Sequence, residues 1–252
     1  MTAQKRLGIA HSSPSVMHSQ DRRLAIRTQV PQKDQELVRH FVPGRIPVLL
    51  RQANAEKLHR AMDVLGAIVG LILFAPLLIP SMILVKATSK GPVFFTQIRV
   101  GRGGKLFRMY KLRTMVPGAE KLQKDLMALN EQNGAAFKMK NDPRVTSVGK
   151  WLRRFSLDEV PQFLNVLRGE MSLVGPRPPL PREVKSYKRW QLQRLMVKPG
   201  LTGLWQISGR NRLDFDDWVR LDIRYIKQRN LRFDIAIMLR TFKVLFLKPN
   251  GQ

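Results

Sequence analysis

The sequence predicts an α+β fold: a re-entrant membrane helix hairpin, then a small β-hairpin or sheet and several helices that form the remaining domain. Three observations predict it. An uncharged run, Val64–Val85, interrupts a basic chain. Two β-favouring stretches flank a Gly-rich tetrapeptide, and two later segments repeat apolar residues at helical spacing.

Composition narrows the chemistry. The chain has 45 Lys and Arg against 18 Asp and Glu, a formal net charge of +27, with an ordinary 44% of hydrophobic residues. Such a balance belongs to a folded protein with an anionic partner: nucleic acid, an anionic membrane surface or a phosphorylated substrate. Cysteine is absent, and three of the four histidines (His11, His18, His40) lie near the N-terminus. Disulfide, thiolate and Cys-ligated metal chemistry are therefore excluded, a His-based zinc or acid/base site is not expected, and acid/base or metal work falls to carboxylates.

Residues 1–54 are polar, basic and aperiodic, with Pro14, Pro31, Pro43 and Pro47 scattered through them, and read as a largely flexible tail with a short helix near Asp34–Phe41. No apolar segment follows Met1, so this is not a signal peptide. Residues 55–90 form the membrane element. At about 1.5 Å per residue the uncharged run is long enough to cross a bilayer core. Pro76 and Pro80 each remove a helical hydrogen bond and favour a kink. Both flanks are basic, with Arg51, Lys57 and Arg60 before the run and Lys86, Lys90, Arg99 and Arg102 after it. Positive flanks stay cytoplasmic, so a kinked hairpin that dips in and returns fits better than a span.

Residues 91–252 form the remaining domain. Val93–Val100 and Leu106–Leu112 read as a β-hairpin about Gly101–Gly104; this GRGG lacks the Lys-Ser/Thr and helix of a P-loop and reads as a turn. Residues 118–132 read as a polar surface helix and Asn133–Val148 as a loop. Between Asp214 and Gln228, Phe215, Trp218, Val219, Tyr225 and Ile226 share a helical face with Asp222, a carboxylate that needs an ion pair or a cation there. A C-terminal amphipathic helix, about Phe233–Leu247, aligns Ile235, Met238, Leu239, Phe242 and Phe246, as membrane-surface and core-packed helices both do.

The phrase FSLDEVPQ, Phe155–Gln162, sets two adjacent acids in this cationic chain. Ser156-x-x-Glu159 matches a capping box, but Pro161 would then break a bond in the fifth helical position. With Asp158 as N-cap the proline falls among the orphan donors, and the helix runs to about Arg168 with Val160, Phe163, Leu164 and Leu167 inward. Capping alone explains Asp158 as well as chemistry does at this level. Two Gly- and Pro-rich loops shift the balance: Gly169–Pro179 holds Arg177 between prolines, and Lys198–Arg210 ends in Arg210. Stiff loops bearing single arginines suit phosphate recognition. With Arg153, the carboxylates and a membrane anchor, they imply phosphoryl chemistry at a bilayer surface.

KLRTM (Lys111–Met115), SLDEVPQFLNVLRGEMSLVGPRP (Ser156–Pro178) and KPGLTGLWQISGRN (Lys198–Asn211) resemble the bacterial sugar transferase family, the monotopic polyprenyl-phosphate phosphoglycosyl transferases, over about residues 55–248. The resemblance implies a re-entrant membrane helix, a catalytic domain on the cytoplasmic face of the bacterial inner membrane, and Mg²⁺. It also implies transfer of a sugar-1-phosphate from a UDP-sugar to polyprenyl phosphate, with release of UMP. It makes Asp158 the nucleophile and Glu159 a Mg²⁺ ligand. Arg153, Arg177 and Arg210 would hold phosphates, joined by Lys111, Arg113 and Thr202, and Asp222 would be a second metal ligand or a structural ion pair. Anionic lipids are expected partners, nucleic acid is not, and a homodimer stays open.

Two departures stand out. Some relatives break the helix at Ser-Pro where this chain has Ala75-Pro76, and long members carry extra N-terminal spans and a domain where only the basic tail stands. No separate regulatory domain is expected. A nucleic-acid-binding protein would not need the uncharged run and shows no zinc-finger or RNP-type signature. A membrane scaffold without catalysis would leave the two arginine loops unexplained.

Overall fold

The structure, a computed structural model, describes residues 53–122, 125–127, 130–131, 137, 139, 141–208 and 214–247. The tail of residues 1–52 and Arg210 lie outside these residues.

One helix organises the fold. α1, Ala53–Thr88, is a continuous 36-residue helix with Pro76 and Pro80 inside it, so any bend at the prolines lies within a helix rather than between two helices. Its stretch Ala55–Thr88 is long and apolar enough to cross a membrane. The helix nevertheless lies along the domain, held near both ends. Near the first, Arg60 donates to the Val166 and Leu167 carbonyls, both at 2.6 Å, and Asp63 Oδ1 accepts from Ser172 Oγ and Leu173 N, both at 2.8 Å. At the other end Arg113 Nη2 donates to Ser89 O and Ser89 Oγ at 2.8 Å, and Arg113 Nη1 to Lys90 O at 2.5 Å. Between these points small residues admit close approach. A Cβ on Gly70 would lie 2.5 Å from Phe163 Cζ, and the Phe163 ring stacks on Phe74 at 6.5 Å. The opposite face leaves Leu65, Ile72, Leu73, Ile79 and Ile83 exposed.

The hairpin follows as expected. β1, Phe94–Val100, pairs antiparallel with β2, Leu106–Leu112, from Phe94 opposite Leu112 to Val100 opposite Leu106. Its turn needs glycine: Gly103 has φ 66° and Gly104 φ 81°, conformations that cost a side chain little only when there is none. Helix α2, Ala119–Leu122, covers four residues, shorter than the helix expected over 118–132 among the described residues there. Helix α3, Ser147–Arg154, starts where a loop was expected to end; Thr146 caps it by accepting from Gly149 N at 2.9 Å.

The acidic phrase forms a 3₁₀ helix, Leu157–Gln162, that runs into α4, Phe163–Leu167. The two Gly-rich loops are strands in part. β3, Ser172–Val174, and β4, Gly200–Thr202, pair in parallel, with Ser172 beside Gly200 and Val174 beside Thr202. Glycine is required here too, since a Cβ on Gly175 would meet Lys198 O at 2.6 Å and Gly200 N at 2.7 Å. Short helices α5, Pro181–Lys185, and α6, Leu204–Ile207, lead to α7, Phe215–Gln228, and α8, Leu231–Leu247. α7 buries Phe215, Trp218, Val219, Asp222, Tyr225 and Ile226, the predicted stripe. On α8, Ile237 and Asp234 are buried while Ile235, Leu239 and Phe242 are exposed, so much of its apolar stripe faces out. The main core joins Ala67 and Val85 of α1 to Leu112, Leu152, Val160, Val166, Met171, Val174 and Tyr225.

Candidate active site

The acidic pair stands where α3, β2 and the 3₁₀ helix meet. Ser156 turns the chain out of α3 with φ 56°, a left-handed value uncommon outside glycine. This overturns the expected cap: Ser156, not Asp158, precedes the helix, and no side chain caps it. Asp158 and Glu159 lie inside the first turn, and Pro161 sits in a 3₁₀ helix rather than the expected α-helix. Leu164, expected inward, is 40% exposed. Asn165 ties this segment to β2, accepting from Tyr110 N at 3.1 Å and donating to Arg108 O at 2.7 Å.

That tie places Lys111 over the acids. Its Nζ is 2.6 Å from Glu159 Oε1 and 3.7 Å from Asp158 Oδ2. The Asp158 side chain is 8% exposed and that of Glu159 33%, so one acid is enclosed and the other faces solvent. Burial pushes the Asp158 carboxyl above its usual range; Lys111 and Arg153 pull it down and Glu159 pushes it further up. Arg153, set on α3 by its Nε bond to Thr114 Oγ1 at 3.0 Å, is held below its ordinary value by burial and raised by Asp158.

Arg177 is presented by a clamped loop. Arg99 Nη1 donates to Pro178 O at 3.0 Å, Val100 N to Pro179 O at 2.9 Å, and Arg194 Nη2 to Arg177 O at 3.3 Å. The Arg177 guanidinium keeps a loose ion pair with Glu183, 3.5 Å away, and its side chain is 33% exposed. Arg99 is buried, which lowers its pKa, and it also senses the charges of Arg177, Glu183 and Glu159.

Three expected site residues stand elsewhere, and a fourth is not among the described residues. Arg113 is buried and spent on the C-terminal end of α1. Thr202 Oγ1 shares a 2.7 Å hydrogen bond with Thr241 Oγ1 on α8. Asp222, named for a metal, accepts from Arg194 Nε and lies 2.8 Å from Arg194 Nη2, the ion-pair alternative. Arg210 lies outside the described residues. Sequence reasoning missed Arg99 and Arg194, which grip the Arg177 loop from two sides.

Among the described residues no group of three or more His, Asp or Glu could hold a metal ion. The donor set still fits Mg²⁺, which is commonly held by one or two carboxylates with substrate phosphates completing its shell. Glu159 and Asp158 supply two carboxylates, and the Lys111 ammonium lying against both marks the negative potential between them.

The fold and the site together define a domain built on a long apolar helix, with a shielded carboxylate, a second carboxylate beside it, and Lys111 and Arg153 as the cations that act on them. The chain belongs to the bacterial sugar transferase family, whose model matches residues 54–248. It is 49% identical over 191 residues to the galactosyl transferase CpsE of Streptococcus agalactiae, covering 75% of this chain and 42% of that protein. It is 45% identical over 213 residues to the undecaprenyl-phosphate galactose phosphotransferase of Salmonella typhimurium, covering 82% and 44%. With the exopolysaccharide production protein ExoY of Rhizobium meliloti it shares 43% over 192 residues, covering 75% and 85%. The chain thus spans less than half the length of the first two relatives and most of the third.

Proposed function

We propose that this chain transfers a hexose-1-phosphate from a UDP-sugar to undecaprenyl phosphate on the cytoplasmic face of the bacterial inner membrane, the first membrane step of exopolysaccharide, capsule or O-antigen assembly. The observation that carries the reading is the enclosed Asp158 with Lys111 and Glu159 against it and Arg153 behind. The substrate class is supported by relatives called undecaprenyl-phosphate galactose and glucose phosphotransferases.

The reaction divides into two displacements. A carboxylate oxygen of Asp158 attacks the sugar-bearing phosphorus of the donor; an Asp158–phosphorus bond forms, the bond to the bridging oxygen breaks, and UMP leaves with the electron pair. A phosphate oxygen of the lipid then attacks the same phosphorus and the Asp158 oxygen departs as carboxylate. Lys111 and Arg153 keep Asp158 ionised against the pull of burial. Arg177, on its clamped loop, binds and orients the pyrophosphate, and enclosure limits attack by water on the phospho-sugar ester. Mg²⁺ bound by Glu159 and Asp158 would neutralise charge on the phosphates.

α1 is read as re-entrant. Both its ends contact the same domain, through Arg60 and through Arg113, and a spanning helix would separate those contacts by a bilayer. Enzyme with UDP-sugar and Mg²⁺ but no lipid should release at most about one UMP per site, and the peptide containing Asp158 should gain the phospho-sugar mass. No burst, together with intersecting double-reciprocal plots, would overturn the covalent route.

A further inference from the structure

We propose that a basic groove on the outer face of α7 binds a nucleoside polyphosphate at a site separate from the carboxylate pair. α7 turns its apolar residues and Asp222 inward, and its opposite face presents Arg220, Arg224 and Lys227, all exposed. These follow one another at four- and three-residue spacing, where like charges repel. Among the described residues no hydrogen bond or ion pair engages any of the three. Lys188, Trp190 and Gln193 form the facing wall, and the space between is about 670 Å³.

The wall is fixed to the helix. Asp216, the one acid lining the groove, accepts from Gln191 Nε2 at 2.7 Å and lies 3.9 Å from Lys188 Nζ. Trp190 packs on the cluster of Phe215, Trp218 and Val219 while also lining the groove. A cavity of that size falls among small-molecule sites, about 300–1,000 Å³, and suits a compact ligand better than a protein surface. Cations on both walls call for phosphates, and an anchored indole calls for a flat ring to stack upon; a nucleoside polyphosphate carries both. Inorganic phosphate would leave Trp190 unused. An anionic lipid headgroup would be met on the side of α1 and α8, where the exposed apolar residues Leu65, Ile72, Leu239 and Phe242 lie. None of this depends on the proposed reaction.

ATP is the probe, because its base differs from the uridine of the proposed donor. The full chain in nanodiscs should bind ATP, with tripolyphosphate binding about tenfold more weakly for want of stacking. Arg220→Glu/Arg224→Glu and Trp190→Ala should each weaken ATP by about tenfold, while Arg220→Lys/Arg224→Lys retains it. Photolabelling wild type with 8-azido-ATP should modify peptides from 186–193 or 216–228, which keeps the test informative if a variant fails to fold. Equal affinity for tripolyphosphate, unchanged ATP binding in the charge-reversed variant, or labelling elsewhere would overturn the proposal. So would loss of binding to phosphatidylglycerol vesicles in that variant when wild type binds no ATP, which would assign the groove to lipid.

Discussion

Removing the Asp222 carboxylate should unfold the domain more readily because of what it leaves behind. Arg194 and Asp222 have side chains 2% and 1% exposed. In Asp222→Ala the guanidinium keeps, among the described residues, hydrogen bonds to Tyr187 OH at 2.7 Å and Arg177 O at 3.3 Å and the rings of Tyr187 and Phe215 beside it, with no counter-charge in contact. An uncompensated buried charge of this kind costs about 3–5 kcal/mol. At about 2–4 °C per kcal/mol for a domain of this size, the melting temperature should fall by about 6–20 °C. The pair itself is not a large net stabiliser: burial pushes the Asp222 carboxyl up to about 6 although Arg194 pulls it down. Arg194→Met/Asp222→Leu, which removes both charges, should therefore regain most of the lost stability. Activity should stay low in that variant, since the bond from Arg194 to the Arg177 carbonyl is gone. A raised folded-state pKa means the folded protein binds the proton more tightly, so this group's contribution is greatest below about pH 4 and declines as pH rises to about 6. Melting followed by intrinsic fluorescence, with turnover measured alongside, reads both effects. An Asp222→Ala protein melting within about 2 °C of wild type would refute the reasoning.

Asp158→Asn should abolish turnover without changing the melting temperature, since an amide oxygen is a poor nucleophile; turnover within about tenfold of wild type would remove Asp158 from that role. Lys57→Cys and Lys90→Cys, made one at a time in a chain with no native cysteine, should both react with a thiol reagent from the cytoplasmic side. Labelling of only one would mean that α1 spans. Gly70→Ala sets a methyl against Phe163 and should destabilise by about 1–3 kcal/mol, read as a lower melting temperature; an unchanged value would show that the ring moves aside freely.

What the sequence revealed and what it hid follow from the range of the interactions. The hairpin, α7 and α8 were legible because alternation and helical spacing are local signals. The acidic pair was legible as an exception to the charge around it. The β3–β4 sheet was not, since three-residue strands inside glycine-rich segments carry no period. The Asp158 cap failed because Ser156 adopts a left-handed conformation that nothing about serine announces. Arg194 reaches Asp222 across 28 residues and Arg99 reaches Pro178 across 79, so neither role has a local trace. Asp222 alone hinted at its partner, as a carboxylate on an apolar face must.

The anchoring of α1 along the domain also sets a height. Arg60 and Arg113 hold the helix near its two ends, and its outward row of Leu65, Ile72, Leu73, Ile79 and Ile83 seeks hydrocarbon. If the proposed membrane placement holds, a body held this way could drift and spin in the plane of the bilayer but could not readily bob or roll, because either motion would wet that row. Asp158 would then ride at a fixed altitude above the lipid. On the proposed reading, a long-chain phosphate acceptor confined to the same sheet would need only lateral diffusion and one in-plane rotation to reach it, so the search would lose a dimension before any contact is made.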